Sequence, residues 1–107
     1  MVGQISLIRV YYTNHVDFKT RPVLIFKEFK LGDFLFLPLT TNKMVPGIVI
    51  TNRDLQYGSL KKESVIIVKK LAIGNQDNVL KIIGLVKPSF FKKVHAEVCN
   101  TLNCYEI

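Results

Sequence analysis

A chain of 107 residues is the size of one domain, and with 49 % apolar residues, seven Phe and four Tyr it carries too much hydrophobic surface to stay disordered. Its formal charge of +7 is large for that length and points to a polyanionic partner, whether nucleic acid, an acidic protein or an anionic surface. Two cysteines exclude a disulfide framework, and MVGQISLIRV has no apolar run long enough for a signal peptide or a membrane span, so a cytoplasmic protein with reduced thiols is expected.

In chain order, six short runs have the composition of strands. Ile5–Tyr12 is rich in β-branched and aromatic residues, Pro22–Phe26 reads PVLIF, and Phe34–Leu39 reads FLFLPL. GIVIT over Gly47–Thr51, SVIIV over Ser64–Val68 and LKIIGLV over Leu80–Val86 follow. Polar or Gly-containing turns separate them: Asn14–Thr20, Leu31–Asp33, Asn42–Pro46 and Tyr57–Lys62. Asn52–Tyr57 and Asn75–Leu80 are each long enough for a helical turn at most. The pattern predicts a mainly antiparallel sheet or small barrel in a single domain spanning residues 1–107, with no linker or repeat.

KPSFFKKVHAEVCNTL departs from that pattern. Pro88 and Ser89 suit a helix start, and Phe91, Val94, Val98 and Leu102 recur every three or four residues, predicting one amphipathic helix on the sheet. Cys99 and Cys104, five residues apart, are not expected to share a face of it.

The excess positive charge is spread through the chain, +3 over residues 1–60 and +4 over residues 61–107, so it belongs to the folded surface. Two histidines far apart and two cysteines at an odd spacing give no metal-ligand pattern. No phosphate-binding glycine loop, nucleophile elbow or close pair of carboxylates is visible, and His95 reads as a surface residue of the helix. What remains is polar residues at strand ends. Arg21 precedes Pro22, which biases its backbone toward the extended form, and Thr40 and Thr41 close FLFLPLTT. If those strands are neighbours, a guanidinium fork and hydroxyl donors meet where they suit a phosphate oxygen; otherwise they are a surface arginine and a threonine turn.

The order GQISLI, KTRPVLIF, GDFLFLPLTTN, GIVIT, YGSLKKESVIIV, KIIG and a final helix resembles the MazF/PemK toxins of type II toxin–antitoxin systems, over essentially the whole chain. Arg-Pro opening an apolar strand and a later apolar strand ending in Thr-Thr are the most specific elements. The resemblance implies a small, strongly curved antiparallel β-barrel of the Src-homology-three-like, plasmid-maintenance-toxin type with a C-terminal amphipathic helix, assembled as a homodimer. It implies a metal-independent, cofactor-free endoribonuclease acting on single-stranded RNA and held in check by a cognate acidic antitoxin.

Carried over by position, Arg21, Thr40 and Thr41 become the candidate catalytic residues; His15, Lys19, Lys43, Lys69 and Lys70, basic residues of this chain's own, are the candidate RNA contacts. The implied step is attack of a 2′-hydroxyl on the adjacent phosphate. An always-charged guanidinium suits stabilisation of the phosphorane far better than proton abstraction. His15 is the side chain in the loop before Arg21 whose ordinary titration range suits a proton acceptor, and Asp17 shares that loop. Where many relatives carry an acidic residue after SVIIV, this chain has Lys69 and Lys70. Two other readings keep the same barrel: a noncatalytic nucleic-acid-binding module, and a CcdB-like poison of DNA gyrase.

Overall fold

The computed structural model describes residues 1–104. Eight strands and one helix follow in order: β1 (Gln4–Tyr11), β2 (Phe18–Glu28), β3 (Asp33–Thr40), β4 (Ile48–Ile50), β5 (Leu55–Gly58), β6 (Ser64–Ile66), β7 (Ala72–Asn75), β8 (Val79–Val86) and α1 (Pro88–Leu102). Every strand pairing is antiparallel, in the spatial order β4-β6-β3-β2-β1-β8-β5, and β7 adds to the free half of β3.

The central strands bury both faces, because the sheet curls and separates two cores. Ile5 of β1, Leu24 of β2, and Leu37 and Leu39 of β3 point into the larger core with Ile50, Ile66 and the helix residues Phe90, Val94 and Val98. Their neighbours Ile8, Val23, Ile25, Phe34 and Phe36 point the other way, into a smaller core bordered by Ala72 and Val79. Burial on both sides makes PVLIF and FLFLPL read as continuous apolar runs instead of alternating ones.

The proline inside FLFLPL marks a switch between partners. β3 pairs with β2 as far as Val23–Pro38 and then turns to β6, through Leu39–Ile66 and Thr40–Val65. Pro38 has no N–H to give to a ladder at the changeover, and its carbonyl accepts from the Ile67 N–H at 2.9 Å.

The sequence pattern misplaces three features. β2 runs well beyond PVLIF in both directions, so Phe18–Thr20, expected in a loop, form the outer half of a long hairpin with β1. β5 and β7 are strands that the pattern does not predict; each is four residues long and has no fully apolar run. Short 3-10 turns at Asn52–Asp54 and Gln76–Asn78 occupy the two stretches that allowed a helical turn.

The helix spans the expected stretch with Pro88 in its first turn, but its buried stripe is Phe90, Val94 and Val98, at strict i, i+4 spacing. Phe91 lies at the margin, where it stacks on Phe26 at 5.6 Å between ring centroids, and Leu102 is 58 % exposed. Asn103 ends the helix in the left-handed conformation (φ 55°), and the Cys104 N–H returns to the Cys99 carbonyl at 2.9 Å. That reversal brings together two cysteines that an uninterrupted helix keeps on different faces. No helix among the described residues is long and apolar enough to cross a membrane.

Candidate nucleic-acid interface

Arg21 is half-buried on β2 opposite Ile8, between Thr20 and Pro22. Among the described residues its guanidinium makes neither a hydrogen bond nor an ion pair. Thr40 closes β3. The β2–β3 ladder ends at Val23–Pro38, and Arg21 and Thr40 each lie two residues past that pair, so side-chain alternation sets both on its side of the sheet. Thr41, one residue further, falls on the other side. The end of β3 thus offers its two hydroxyls to different faces of the same edge.

The turn after β3 fixes Thr40. Its Oγ1 accepts from the Asn42 N–H at 3.1 Å, and Asn42 Oδ1 accepts from the Met44 N–H at 3.0 Å. This is the threonine turn allowed by sequence. It occupies one acceptor site on the hydroxyl and leaves the hydroxyl proton free to donate.

On the Thr41 side a groove of about 650 Å³ opens. Leu7 of β1, Pro22 of β2 and Lys81 of β8 form its floor, cross-strand neighbours on one pleat face. Thr41, Ser64 and the Ser59–Lys62 turn form its wall. A second depression of about 510 Å³, lined by Thr51, Asn52, Arg53 and Glu63, lies beyond that wall and shares Leu60, Lys61 and Lys62 with the first.

The wall is held from behind. The Leu60 N–H donates to Asn52 Oδ1 at 2.7 Å, and Asn52 Nδ2 donates to the Leu60 carbonyl at 3.3 Å. Asn52 is itself set by a capping box, in which Arg53 N–H donates to Thr51 Oγ1 and Thr51 N–H to Asp54 Oδ2. Ser64 Oγ donates to the Lys62 carbonyl at 3.1 Å. At the start of the turn Gly58 has φ 85°, and a Cβ there lies 2.2 Å from the Ile83 carbonyl oxygen, so only glycine lets β5 approach β8 this closely. Lys61 and Lys62 are therefore presented on a braced turn.

The remaining candidates are dispersed. His15 is exposed at the tip of the β1–β2 hairpin with φ 59°. Phe18 is already about 10 Å along the strand from Arg21 at ~3.3 Å per residue, and His15 lies beyond it. Asp17 accepts from Asn14 Nδ2 at 3.0 Å within that tip. Lys19 is exposed on β2 opposite Val10. Lys43 pairs with Glu63 at 3.2 Å on the far side of the wall. Lys69 and Lys70 sit in the turn that contacts α1 and β3, and line neither groove. Lys61, Lys62 and Lys81 line the groove instead. Lys81 is separated from Leu7 by 74 positions in sequence, and only the β1–β8 register brings the two together. Among the described residues no group of three His, Cys, Asp or Glu side chains could hold a metal ion.

No family model matches the chain, and no curated protein does. Solved structures do. An endoribonuclease in complex with its cognate antitoxin, from a mycobacterial species, superposes with a TM-score of 0.71 at 16 % identity, over 96 % of this chain and 94 % of its own. The Mycobacterium tuberculosis toxin MazF-mt6 superposes with a TM-score of 0.69 at 20 % identity, over 94 % and 96 %. This chain has the MazF fold. Near-complete coverage in both directions means that the likeness takes in the sheet and the terminal helix together. At these identities the likeness is one of fold, and the chemistry has to be argued from this chain's own residues.

Proposed function

We propose that the chain is a single toxin-type domain acting in the cytoplasm as a metal-independent endoribonuclease on single-stranded RNA. Arg21 supports this reading most strongly: a guanidinium without a partner among the described residues, on β2 just past the end of its ladder with β3, matched by Thr40 on the neighbouring strand of a MazF fold. The 2′-hydroxyl attacks the adjacent phosphate and releases its proton to water, the bond to the 5′-oxygen of the next nucleotide breaks and that oxygen takes a proton from water, so that a 2′,3′-cyclic phosphate and a 5′-hydroxyl result. Arg21 stays charged throughout and binds the phosphorane oxygens through its planar donors. Thr40 donates its free hydroxyl proton to the same phosphate, and Thr41 steadies the strand where it enters the groove. Lys61, Lys62 and Lys81 hold the flanking phosphates. The chain works as a homodimer, and a cognate antitoxin with an acidic segment occupies the basic groove, a partner of the class with which the mycobacterial endoribonuclease forms its complex.

The test is incubation of the pure protein with a long single-stranded RNA in EDTA, followed by end mapping. Cyclic-phosphate and 5′-hydroxyl ends are expected. Arg21→Ala should abolish them, and Thr40→Val should slow cleavage by ~10²–10³, the usual loss for one preorganised donor. Intact RNA from the wild type, or equal cleavage by Arg21→Ala, removes the nuclease reading and leaves a noncatalytic RNA-binding module.

A further inference from the structure

We propose that the outer half of the β1–β2 hairpin is a base-stacking subsite, in which Tyr11 and Phe18, backed by Arg9, take one unpaired base of the RNA strand whose phosphates lie in the Thr41 groove. This deepens the nuclease reading and rests on it for the identity of the strand. Tyr11 and Phe18 are cross-strand partners with ring centroids 5.6 Å apart and planes at 57°. They are 42 % and 46 % exposed, so their rings meet each other without being covered. The Arg9 guanidinium carbon lies 5.8 Å from the Phe18 centroid, and its Nη2 donates to the Asp77 carbonyl at 3.4 Å. Its Nε is buried without a partner among the described residues. An arginine fixed against an aromatic ring forms a rigid, electropositive platform.

Position along the strand ties this platform to the groove. Leu7, Arg9 and Tyr11 alternate onto one face of β1, and their partners Pro22, Thr20 and Phe18 onto the same face of β2. Leu7 and Pro22 are groove floor. The aromatic pair lies four residues further along both strands, about 13 Å away at ~3.3 Å per residue. One continuous face therefore runs from lysine-lined groove to aromatic pair, the combination of phosphate track and stacking surface that single-stranded nucleic acid uses. Lysine is depleted from contacts between copies, and Lys81 stands in the floor that leads to this pair.

The test uses a 2′-O-methyl oligonucleotide, which cannot be cleaved, and a series in which one abasic position is walked along it. Tyr11→Ala and Phe18→Ala are each expected to weaken binding about 5- to 100-fold, with Tyr11→Phe about like wild type. One abasic position should weaken wild-type binding by a similar factor and leave binding by Phe18→Ala unchanged. Because the chain has no Trp, Phe18→Trp supplies a unique fluorophore that should be quenched on binding. Phe18→Leu, apolar but not aromatic, replaces the alanine variant if that fails to fold, with the same expected loss. Wild-type affinity in the variants, or equal losses at every abasic position, overturns the subsite; so does a change of oligomeric mass with unchanged affinity, which makes the pair a contact between copies. If unmodified RNA is cleaved while Tyr11→Ala binds normally, the subsite alone fails. If nothing is cleaved while the abasic coupling holds, the nuclease reading fails and the subsite survives.

Discussion

Thr40 and Thr41 are chemically the same but present their hydroxyls differently, because strand alternation turns them to opposite sides of one edge. Thr40 Oγ1 is committed as an acceptor to the Asn42 N–H, which orients the hydroxyl and leaves a donor beside Arg21's side of the sheet. Composition identifies a threonine turn; only the register with β2 identifies a directed proton. The same dependence on local backbone explains Cys104. The left-handed Asn103 folds it back on Cys99, and the hydrogen bond between the two side chains, together with slight desolvation and the charge of the neighbouring sulfur, pushes the Cys104 thiol up from its ordinary value. A raised thiol value means less thiolate at a given pH and slower alkylation. Wild-type Cys104 should react with iodoacetamide at pH 8 more slowly than a cysteine in an unstructured peptide, and the midpoint of its pH–rate profile should fall in Cys99→Ala. Equal profiles in the two proteins mean that the contact does not form in solution.

At the level of elements, α1 separates what periodicity can and cannot tell. The pattern Phe91, Val94, Val98, Leu102 and the pattern Phe90, Val94, Val98 fit the sequence comparably, and the sheet chooses between them by offering a core to only one. Phe90 is 7 % exposed, so Phe90→Ala should cost about 3–5 kcal/mol in a urea unfolding curve. Leu102→Ala should shift it by less than about 0.5 kcal/mol. The reverse ranking restores the stripe read from sequence. The apolar stretches of β2 and β3 were legible because they are buried on both faces, whereas the exposed outer half of β2 and the change of partner at Pro38 were not. β5 and β7 were not, since LQYG and AIGN owe their extended form to pairing with β8 and β3 more than to their own composition. That β2 and β3 are neighbours, which sets Arg21 and Thr40 on one side of the sheet, was a condition the sequence could state but not meet by itself. Lys81 was not legible, because its place in the groove is set by a pairing across 74 positions that no local pattern encodes.

Across the whole molecule the +7 charge is uneven in its use. Lys61, Lys62 and Lys81 converge on one groove through a braced turn and a strand pairing, whereas Lys69 and Lys70 are exposed on a turn beside α1 that lines neither groove, and Lys43 is partly neutralised by Glu63. Each phosphate neutralised on a single strand contributes about −0.7 to the slope of log affinity against log salt. If the three groove lysines each hold one phosphate, replacing them together with alanine should make the slope about 2 units less steep for the 2′-O-methyl oligonucleotide. Replacing Lys69 and Lys70 should leave it unchanged. Net charge falls in both variants, so a general effect of charge moves both slopes, and only a directed strand path separates them. The opposite pattern, a slope altered by Lys69 and Lys70 and not by the groove, places the RNA along the helix and makes the Thr41 groove a surface for another partner. Tyr11 and Phe18 carry no charge, so their alanine variants should lose affinity at constant slope, which distinguishes a base held by stacking from a phosphate held by a lysine.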